Sequence, residues 1–359
     1  MRVVIKIGTN VLIDSEGKLN QRRLEELAAN INQARQEGYE VALISSGAVG
    51  MGRSVRPELG GGNKRKVLAA IGQPVLMQSY LRAFSKYGLT LGQCLLSRID
   101  FSDHELYRNL VAILENFFQA KVIPIINEND VLAPASLNFG DNDSLAAMLA
   151  IAVKADLLML LTDQPGLFNA DPKLNRQAEL ISVVTRVDKE IERLCGKITS
   201  SLGQGGMISK VRAARQAVFA GITTFVADGR EPAIISKILN GQLAGTRFIA
   251  CASGKMSEQK RWLMAAKGFG QIVIDSGAAN ALRAGKSLLF PGIIVTKGLF
   301  EPGSIVEIIS DGQIVSYGKS NYSDKELNAA LSARKKKPTQ APKLEKEVVH
   351  CDYMAVLKA

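Results

Sequence analysis

Short segments rich in valine, isoleucine and leucine alternate with longer helical patterns between residues 1 and 250. The segment Leu157–Leu161 is apolar at every position, which is typical of a strand buried on both faces of a sheet. Alternation of this kind predicts an α/β fold, a three-layer αβα sandwich with helices on both faces of a mainly parallel sheet. The predicted strands are Val3–Ile7, Val41–Ile44, Leu91–Leu96, Val122–Ile126, Leu157–Leu161 and Thr223–Val226, and the predicted helices are Arg22–Gln36, Lys64–Lys86, His104–Gln119 and Ser144–Lys154.

The pattern changes near residues 255–268, after which short apolar segments are separated by glycine or proline. The chain has 359 residues, and single hydrophobic cores stop growing at roughly 250–300 residues. We therefore predict one domain over residues 1–257, followed by a linker and a small, mostly-β barrel domain over residues 258–359, with its core at about 269–357. The predicted strands of this second domain are Gln271–Ile274, Ile293–Val295, Ile305–Ile309 and Ile314–Tyr317.

The composition indicates a globular protein with an anionic partner. The net charge is +11, which favours nucleotide phosphates, acidic metabolites or nucleic acid as ligands. Part of the excess lies in Arg334–Lys337, which we interpret as a solvated loop, with a nucleic-acid patch as the alternative. The apolar stretch Leu145–Leu161 is interrupted by Lys154 and Asp156, so we expect no membrane span.

The cysteines and the first residues bear on the cellular compartment. The four cysteines are far apart and form no CxxC pair, so we expect neither a disulfide framework nor a zinc site. A strand-like segment begins almost at once, at Val3, so we expect no signal peptide. These features predict a cytoplasmic protein. The chain contains two histidines, His104 and His350, and neither lies in a cluster that suggests a catalytic base.

Polar residues follow the predicted strands at their carboxyl ends, where parallel α/β sheets bind ligands. Each cluster alone also fits ordinary turn-forming residues. Lys6 differs, because a lysine inside an apolar strand is costly unless it faces a site; the alternative is an edge lysine that reaches solvent. The clusters are Lys6–Asn10, Ser45–Gly47, Asn127–Asp130 and Thr162–Asp163.

Asp141, Asn142 and Asp143 place two carboxylates and an amide in consecutive positions, just before the apolar stretch Leu145–Val153. One interpretation is a turn whose last acidic residue caps a helix. The other is a site that holds a charged substrate, which the clusters at the strand ends favour.

A glycine-rich segment, Gly203–Lys210, leads into a helical pattern. Glycines before a helix let backbone N–H groups surround an anion, and Lys210 could then reach a phosphate. The alternative is a flexible loop with a lysine early in the next helix. Two other motifs are rejected: Ala284–Ser287 lacks the first glycine of a P-loop, and Gly47–Gly52 lacks the GxGxxG spacing.

The clusters belong to longer motifs, which occur in the order Val4–Thr9, Ser45–Ala48, Ile126–Asp130, Phe139–Asp143, Leu160–Leu167 and Gly203–Met207. Together they resemble the amino-acid kinase superfamily and, within it, the glutamate 5-kinase family. In the second domain, Asp275–Leu282, Ser287–Ile293 and Gly303–Ile308 are similar to the motifs of a PUA domain. This combination of domains is typical of many bacterial members of that family.

The resemblance implies transfer of the γ-phosphoryl group of ATP, with Mg²⁺, to the side-chain carboxylate of L-glutamate, the first step of proline synthesis. It further implies proline as a feedback inhibitor, a downstream glutamyl-phosphate reductase as a partner, and a homo-oligomer, either a dimer or a tetramer. Two alternatives stay open: a related kinase acting on acetylglutamate, aspartate or a nucleoside monophosphate, and an RNA-binding protein. We do not expect RNA as a partner, because the first domain shows no basic patch rich in aromatic residues.

The resemblance also assigns roles to individual residues. The catalytic group would be Lys6, Lys210, Asp143 and Asp141, with the lysines on either side of the γ-phosphate and Asp143 between them. Ser46, Gly47, Asp130 and Asn142 would bind glutamate. Thr162, Asp163, Gln204, Gly205, Gly206, Met207, Ile208, Ser209 and Lys210 would bind ATP.

This sequence departs from the family pattern at several points. Gln204 stands where the family usually has threonine, and Asn10 stands where serine is more usual. The segment 334–347 is rich in lysine and proline, whereas several relatives carry aromatic residues there. None of these departures removes a residue with an implied catalytic role.

Overall fold

The computed structural model describes residues 1–14, 18–59, 64–132, 139–172, 174–196, 206–251, 256–266, 268, 270–336 and 344–357. Two compact units are present: Met1–Arg98 with Arg108–Ala252, and Ile99–Tyr107 with Ser253–Ala359. The sequence contains no signal that residues 99–107 belong with the second unit. The boundary between residues 257 and 258 stays a prediction.

The first unit contains an eight-stranded sheet among its described residues. Its strands are β1 (Arg2–Ile7), β2 (Glu40–Ile44), β3 (Leu91–Leu96), β4 (Ile123–Glu128), β5 (Leu157–Thr162), β6 (Val183–Val184), β7 (Thr223–Asp228) and β8 (Thr246–Phe248). Their spatial order is β3-β4-β2-β1-β5-β7-β8-β6. Neighbouring strands pair in parallel except for β7 and β8, which are antiparallel. The predicted mainly parallel sheet is therefore confirmed.

Helices cover both faces of this sheet. The helices up to residue 239 are α1 (Thr9–Leu12), α2 (Gln21–Gln36), α3 (Ala48–Val55), α4 (Lys64–Ser85), α5 (Ile99–Ser102), α6 (His104–Gln119), α7 (Asn142–Ala152), α8 (Lys189–Gly196), α9 (Met207–Phe219) and α10 (Ile234–Leu239), with α5 in the second unit. Val3, Ile5 and Ile7 of β1 pack in one core cluster with residues of α2, α4 and α10. Because side chains alternate along a strand, Val4 and Lys6 point to the opposite face, which α7 and α9 cover.

Helices α3 and α4 approach each other closely at two glycines. A Cβ atom added at Gly72 would lie 1.8 Å from the carbonyl oxygen of Ala48, and one added at Gly52 would lie 1.9 Å from that of Leu68. Both contacts are with backbone atoms, which cannot move aside like a flexible side chain. The two glycines therefore allow α3 to lie directly against α4, which fixes the position of α3. Helix α3 begins immediately after Gly47.

The second unit contains a five-stranded mixed sheet among its described residues. Its elements after residue 257 are α11 (Glu258–Ala265), β9 (Gly270–Ile274), α12 (Ser276–Arg283), β10 (Ile293–Lys297), β11 (Ile305–Ser310), β12 (Gln313–Ser320), α13 (Asp324–Lys336) and β13 (Val349–Val356). In the strand order β10-β9-β11-β12-β13, β9 and β11 pair in parallel and the other neighbours are antiparallel. Helices α12 and α13 contribute Leu282 and Leu327 to its core.

Residues 99–107 are held in the second unit by a tryptophan. The indole Nε1 of Trp262 donates to the carbonyl oxygen of Phe101 at 3.0 Å. The ring of His104 also packs on Trp262, with 4.6 Å between the ring centroids. Trp262 is buried, so its N–H needs such a partner.

The interpretation of Arg334–Lys337 as a solvated loop is wrong for Arg334–Lys336, which form the end of α13; Lys337 lies outside the described residues. The guanidinium of Arg334 donates to the carbonyl oxygens of Phe290, Pro291 and Ile293. The positive charge of Arg334 therefore contacts backbone groups of the second unit. In the described part of the chain, no helix combines the length and apolarity needed to cross a bilayer.

Substituting Gly72 by alanine should destabilise the first unit, because the new methyl group would overlap the backbone of α3. We expect the free energy of unfolding in urea to fall by about 1–3 kcal/mol, the usual range for overpacking. Ala70→Ser, at an exposed position of the same helix, is the control and should change stability by less than about 0.5 kcal/mol. Equal stability of Gly72→Ala and the parent protein would contradict the close approach.

Candidate active site

A cavity of about 620 Å³ opens at the carboxyl ends of β1, β2, β4 and β5 in the first unit. This is where the sequence predicts a ligand site, because the polar clusters follow these strands. Twelve of the predicted site residues line the cavity: Lys6, Ser46, Gly47, Asp130, Asp141, Asn142, Asp143, Thr162, Asp163, Gly206, Met207 and Lys210.

Asp143 lies at the centre of this site, between two lysines. The ammonium nitrogen of Lys6 is 2.7 Å from Oδ1 of Asp143, and that of Lys210 is 3.1 Å from Oδ2. The hydroxyl of Ser209 also donates to Oδ2, at 2.7 Å. Asp143 is 1% exposed, Lys6 6% and Lys210 7%. Three buried charges thus form one cluster, with two positive charges against one negative.

The electrostatics of Asp143 follow from these contacts. Burial alone would raise its pKa, since a carboxylate loses hydration when it leaves water. The charges of Lys6 and Lys210 outweigh burial and lower the pKa of Asp143 to about 2. The carboxylate therefore stays ionised at neutral pH, and it holds both ammonium groups at the cavity wall.

Strand β1 supplies Lys6 to this cluster, α7 supplies Asp143 and α9 supplies Lys210. Lys6 points to the face of the sheet that α7 and α9 cover, as the alternation along β1 requires. Asp141 caps α7 by accepting from the backbone N–H of Ser144 at 2.7 Å, which fixes Asp143 in the first turn of the helix. Asp141 is the residue that caps α7, so the interpretation in which the last acidic residue of the run caps the helix is wrong. That last residue, Asp143, is instead bound by the two lysines.

A network of amide groups lies beside the charged cluster. Nδ2 of Asn142 lies 2.8 Å from the carbonyl oxygen of Ser45, 2.9 Å from the hydroxyl of Ser46 and 3.0 Å from Oδ1 of Asn127. Nδ2 of Asn127 in turn donates to Oε1 of Gln73 at 2.9 Å. The network ties α4, β4 and α7 together around Ser46. Gln73 gave no signal in the sequence, because it lies inside an ordinary helical pattern.

Two acidic side chains line another part of the cavity. Burial raises the pKa of Glu128 and of Asp130, and the positive charge of Arg65 opposes that rise. Glu128 also accepts from the backbone N–H of Phe139 at 2.7 Å. Arg53 and Arg65 line the cavity as well, but sequence reasoning missed them because exposed arginines on helices are common.

Only some of the residues predicted to bind the nucleotide line the cavity. Gly206 precedes α9 and has no side chain that could cap the helix. Ile208 and Ser209 lie in the first turn of α9 but are not among the described residues that line the cavity. Gln204 and Gly205 lie outside the described residues.

Comparison with known proteins agrees with this fold. The chain matches the Amino acid kinase family over residues 1–228 and the PUA domain over residues 270–340. The structure of carbamate kinase from Giardia lamblia bound to AMP-PNP has a TM-score of 0.53 and 19% sequence identity. The likeness covers 70% of this chain and 98% of that chain, and at this identity it concerns the fold alone.

Two curated relatives match along nearly their whole length. Glutamate 5-kinase 2 of Pseudoalteromonas translucida (strain TAC 125) is 38% identical over 362 residues, which cover 99% of this chain and 98% of the relative. Glutamate 5-kinase of Dehalococcoides mccartyi (strain CBDB1) is 40% identical over 376 residues, with the same coverage. The chain belongs to the amino acid kinase family, and within that family to the glutamate 5-kinases. The predicted family and domain combination are therefore confirmed.

Replacing Lys210 by methionine should raise the pKa of Asp143, because one of the two charges that stabilise its carboxylate is lost while its burial is kept. Carbon NMR of the aspartate side chains, recorded as a function of pH, measures this pKa. Lys237→Met removes a lysine that pairs with Glu231 and serves as the matched control. An unchanged titration of Asp143 in Lys210→Met would contradict the paired geometry.

Proposed function

We propose that this protein transfers the γ-phosphoryl group of ATP to the side-chain carboxylate of L-glutamate, giving L-glutamyl 5-phosphate. The observation that carries the proposal is the buried Lys6–Asp143–Lys210 cluster, which lines a cavity large enough for both substrates. The relatives named glutamate 5-kinase support the choice of glutamate as acceptor over acetylglutamate or aspartate.

The acceptor needs no general base. A glutamate side chain has a pKa of about 4.3 in water, so at neutral pH it is already a carboxylate nucleophile. Neither histidine is needed for the reaction, and both His104 and His350 belong to the second unit. The work of the site then consists of positioning the two substrates and neutralising charge on the transferring group.

The two lysines supply that neutralisation. Lys6 and Lys210 approach Asp143 through different oxygens, so their ammonium groups are held side by side. One negative charge cannot cancel two positive ones, and the cluster keeps an excess positive charge for the γ-phosphoryl oxygens. Asp143 fixes the position of both lysines before the substrates arrive, so little reorganisation is needed during transfer.

Glutamate has an ammonium group and an α-carboxylate that also require partners. Asp130 offers a carboxylate for the ammonium group, while Ser46 and Asn142 offer a hydroxyl and an amide. Gly47 has a φ angle of 108° and begins α3 without a side-chain cap. The first N–H groups of α3 therefore suit the α-carboxylate, because a helix N-terminus attracts anions.

The nucleotide would bind at Thr162, Asp163 and the start of α9, where Gly206 and Met207 line the cavity. The chemistry of the cavity fits Mg²⁺ carried by ATP, since Mg²⁺ is held by one or two carboxylates and substrate phosphates, and Asp141 presents a carboxylate there. Bound in this way, Mg²⁺ would neutralise charge on the β- and γ-phosphates. Residues 204 and 205 remain predicted nucleotide contacts.

Several further expectations stay predictions. They are inhibition by proline, association with a glutamyl-phosphate reductase, assembly into a homo-oligomer, a cytoplasmic location and the absence of an RNA partner.

The direct test incubates the protein with ATP, Mg²⁺ and L-glutamate and traps the acyl phosphate with hydroxylamine as a coloured hydroxamate. Aspartate and N-acetylglutamate serve as parallel acceptors. We expect product from glutamate, reduced at least about 100-fold in Lys210→Ala, since a charged group that stabilises the transition state is lost. Lys237→Ala should keep full activity. Product from aspartate or N-acetylglutamate, with none from glutamate, would overturn the proposed acceptor.

Affinity for glutamate should fall in acid through Asp130. Burial raises the pKa of this carboxyl above its usual value, so the ionised form that pairs with an ammonium group is lost as the pH falls through that raised pKa. We expect the KM for glutamate to rise in acid while the KM for ATP changes less. Asp130→Asn should have a high KM for glutamate at every pH. It should also lose the part of the rise in KM that comes from protonation of Asp130. A parental KM for glutamate in Asp130→Asn would contradict the assignment.

A further inference from the structure

We infer that Asn10 and Arg230 are positioning residues that hold Asp163 at the cavity wall, and that they set the affinity of the site for the nucleotide. The inference rests on the proposed function in one respect, namely that a nucleotide binds beside Asp163. Arg230 is not among the described residues that line the cavity and acts through Asp163, whereas Asn10 lines the cavity and also holds Asp163.

The ends of three neighbouring strands are tied together at this point. The backbone N–H of Gly8, after β1, donates to the carbonyl oxygen of Leu161 in β5 at 2.8 Å. The N–H of Gly229, after β7, donates to the carbonyl oxygen of Thr162 at 2.8 Å. The residues that follow β1 and β7 therefore lie beside the end of β5, where Asp163 begins the next loop.

Asp163 is held at three separate atoms. Nδ2 of Asn10 donates to its Oδ2 at 2.9 Å, and the hydroxyl of Thr162 donates to its Oδ1 at 3.2 Å. Nη2 of Arg230 donates to its backbone carbonyl oxygen at 2.7 Å. Asn10 follows β1 and Arg230 follows β7, so Asp163 is fixed from both sides of its own strand.

Arg230 is itself held by Asp228. Its Nε lies 2.9 Å from Oδ1 of Asp228, and its Nη2 lies 2.8 Å from Oδ2. The backbone N–H of Arg230 also donates to Oδ1 at 2.8 Å. This paired contact orients the planar guanidinium so that Nη2 also reaches the carbonyl oxygen of Asp163. A lysine ammonium lacks the fork that makes both contacts together.

The charges point to the same conclusion. Asp163 lies close enough to Asp228 for its charge to act on that carboxyl, and the charge of Arg230 acts on both. Burial raises the pKa of both carboxyls, but hydrogen bonds to Asn10 and Thr162 for Asp163, and to Arg230 for Asp228, bring both pKa values below their usual range. Without Arg230, the charge of Asp228 would be uncompensated beside Asp163, which lines the cavity, and binding of a polyanionic nucleotide would weaken.

A purely structural role of Arg230 and Asn10 can be distinguished from a role in nucleotide affinity by measuring stability. Arg230 is half-exposed, with 47% of its side chain accessible, and ion pairs in such positions contribute little to stability. Its loss should therefore change nucleotide affinity more than the free energy of unfolding. Asn10 is also exposed, so the same expectation applies to it.

The experiment compares Asn10→Ala, Arg230→Ala and Arg230→Lys with the parent protein. Calorimetry measures the Kd for the ATP analogue AMP-PNP with Mg²⁺, steady-state kinetics measures the KM for ATP and for glutamate, and thermal unfolding measures stability. Arg35→Ala is the matched control, because Arg35 also donates to a backbone carbonyl oxygen, that of Lys121, at 3.0 Å. Lys121 lies before β4, at the amino ends of the strands.

We expect the Kd for the analogue and the KM for ATP to rise about fivefold or more in all three variants, the size expected for a lost charge-assisted contact. The KM for glutamate and the unfolding temperature should stay close to the parent values, and Arg35→Ala should resemble the parent throughout. Asp228→Asn placed in the Arg230→Ala background should recover part of the affinity, because it removes the uncompensated charge.

Parental affinity for the analogue in Arg230→Ala and Asn10→Ala would overturn the inference. So would an equal loss of both substrates together with a lower unfolding temperature, which would indicate a structural role only. Binding of the analogue does not depend on the acceptor. If the parent protein binds the analogue but forms no hydroxamate from glutamate, the proposed reaction fails while the positioning of Asp163 remains testable.

Discussion

The carboxylate of Asp143 is the group on which the rest of the site depends. Lys6 and Lys210 are both more than nine-tenths buried, and isolated buried charges cost several kcal/mol each. The ionised carboxylate between them offsets part of that cost, and its pKa of about 2 shows how strongly the two lysines favour the charged form. The three-residue cluster carries two positive charges and one negative charge, so it attracts an anion.

The scaffold explains why these charges meet. The sheet places Lys6 on the face covered by α7 and α9, and each of those helices begins at the cavity with its own charged residue in the first turns. Helix α3 begins at the same cavity, and its position is fixed by the close glycine contacts with α4. The cavity is therefore surrounded by helix N-termini and strand ends, which are rigid elements whose backbone donors suit anions.

Sequence reasoning recovers the parts of this structure that follow from local chemistry. Each strand predicted in the first unit overlaps an observed strand, because runs such as Leu157–Leu161 are apolar throughout. Lys6 and the acidic run at Asp141–Asp143 stood out because charged groups next to apolar segments are costly without a partner. Short strands such as β6 and β8 could not be found, since two or three residues carry no usable periodicity.

Other residues escaped prediction because their roles arise only from the fold. Gln73 is one polar residue in a helix, and its contact with Asn127 exists because α4 packs beside β4. Arg230 resembles any exposed arginine until β7 brings it next to β5. Arg334 was predicted as part of a charged loop, but the backbone carbonyls that it contacts lie more than forty positions away in the sequence.

The measurement that most directly tests this account follows the oxygen atoms of the acceptor. L-Glutamate labelled with ¹⁸O in its side-chain carboxylate is incubated with ATP, Mg²⁺ and hydroxylamine, and the released phosphate is analysed by mass spectrometry. Hydroxylamine attacks the carbonyl carbon of an acyl phosphate, so the bridging oxygen leaves with the phosphate. If the carboxylate attacks the γ-phosphorus, the phosphate carries a single ¹⁸O atom. Phosphate without ¹⁸O would mean that water was the nucleophile and would contradict the central claim.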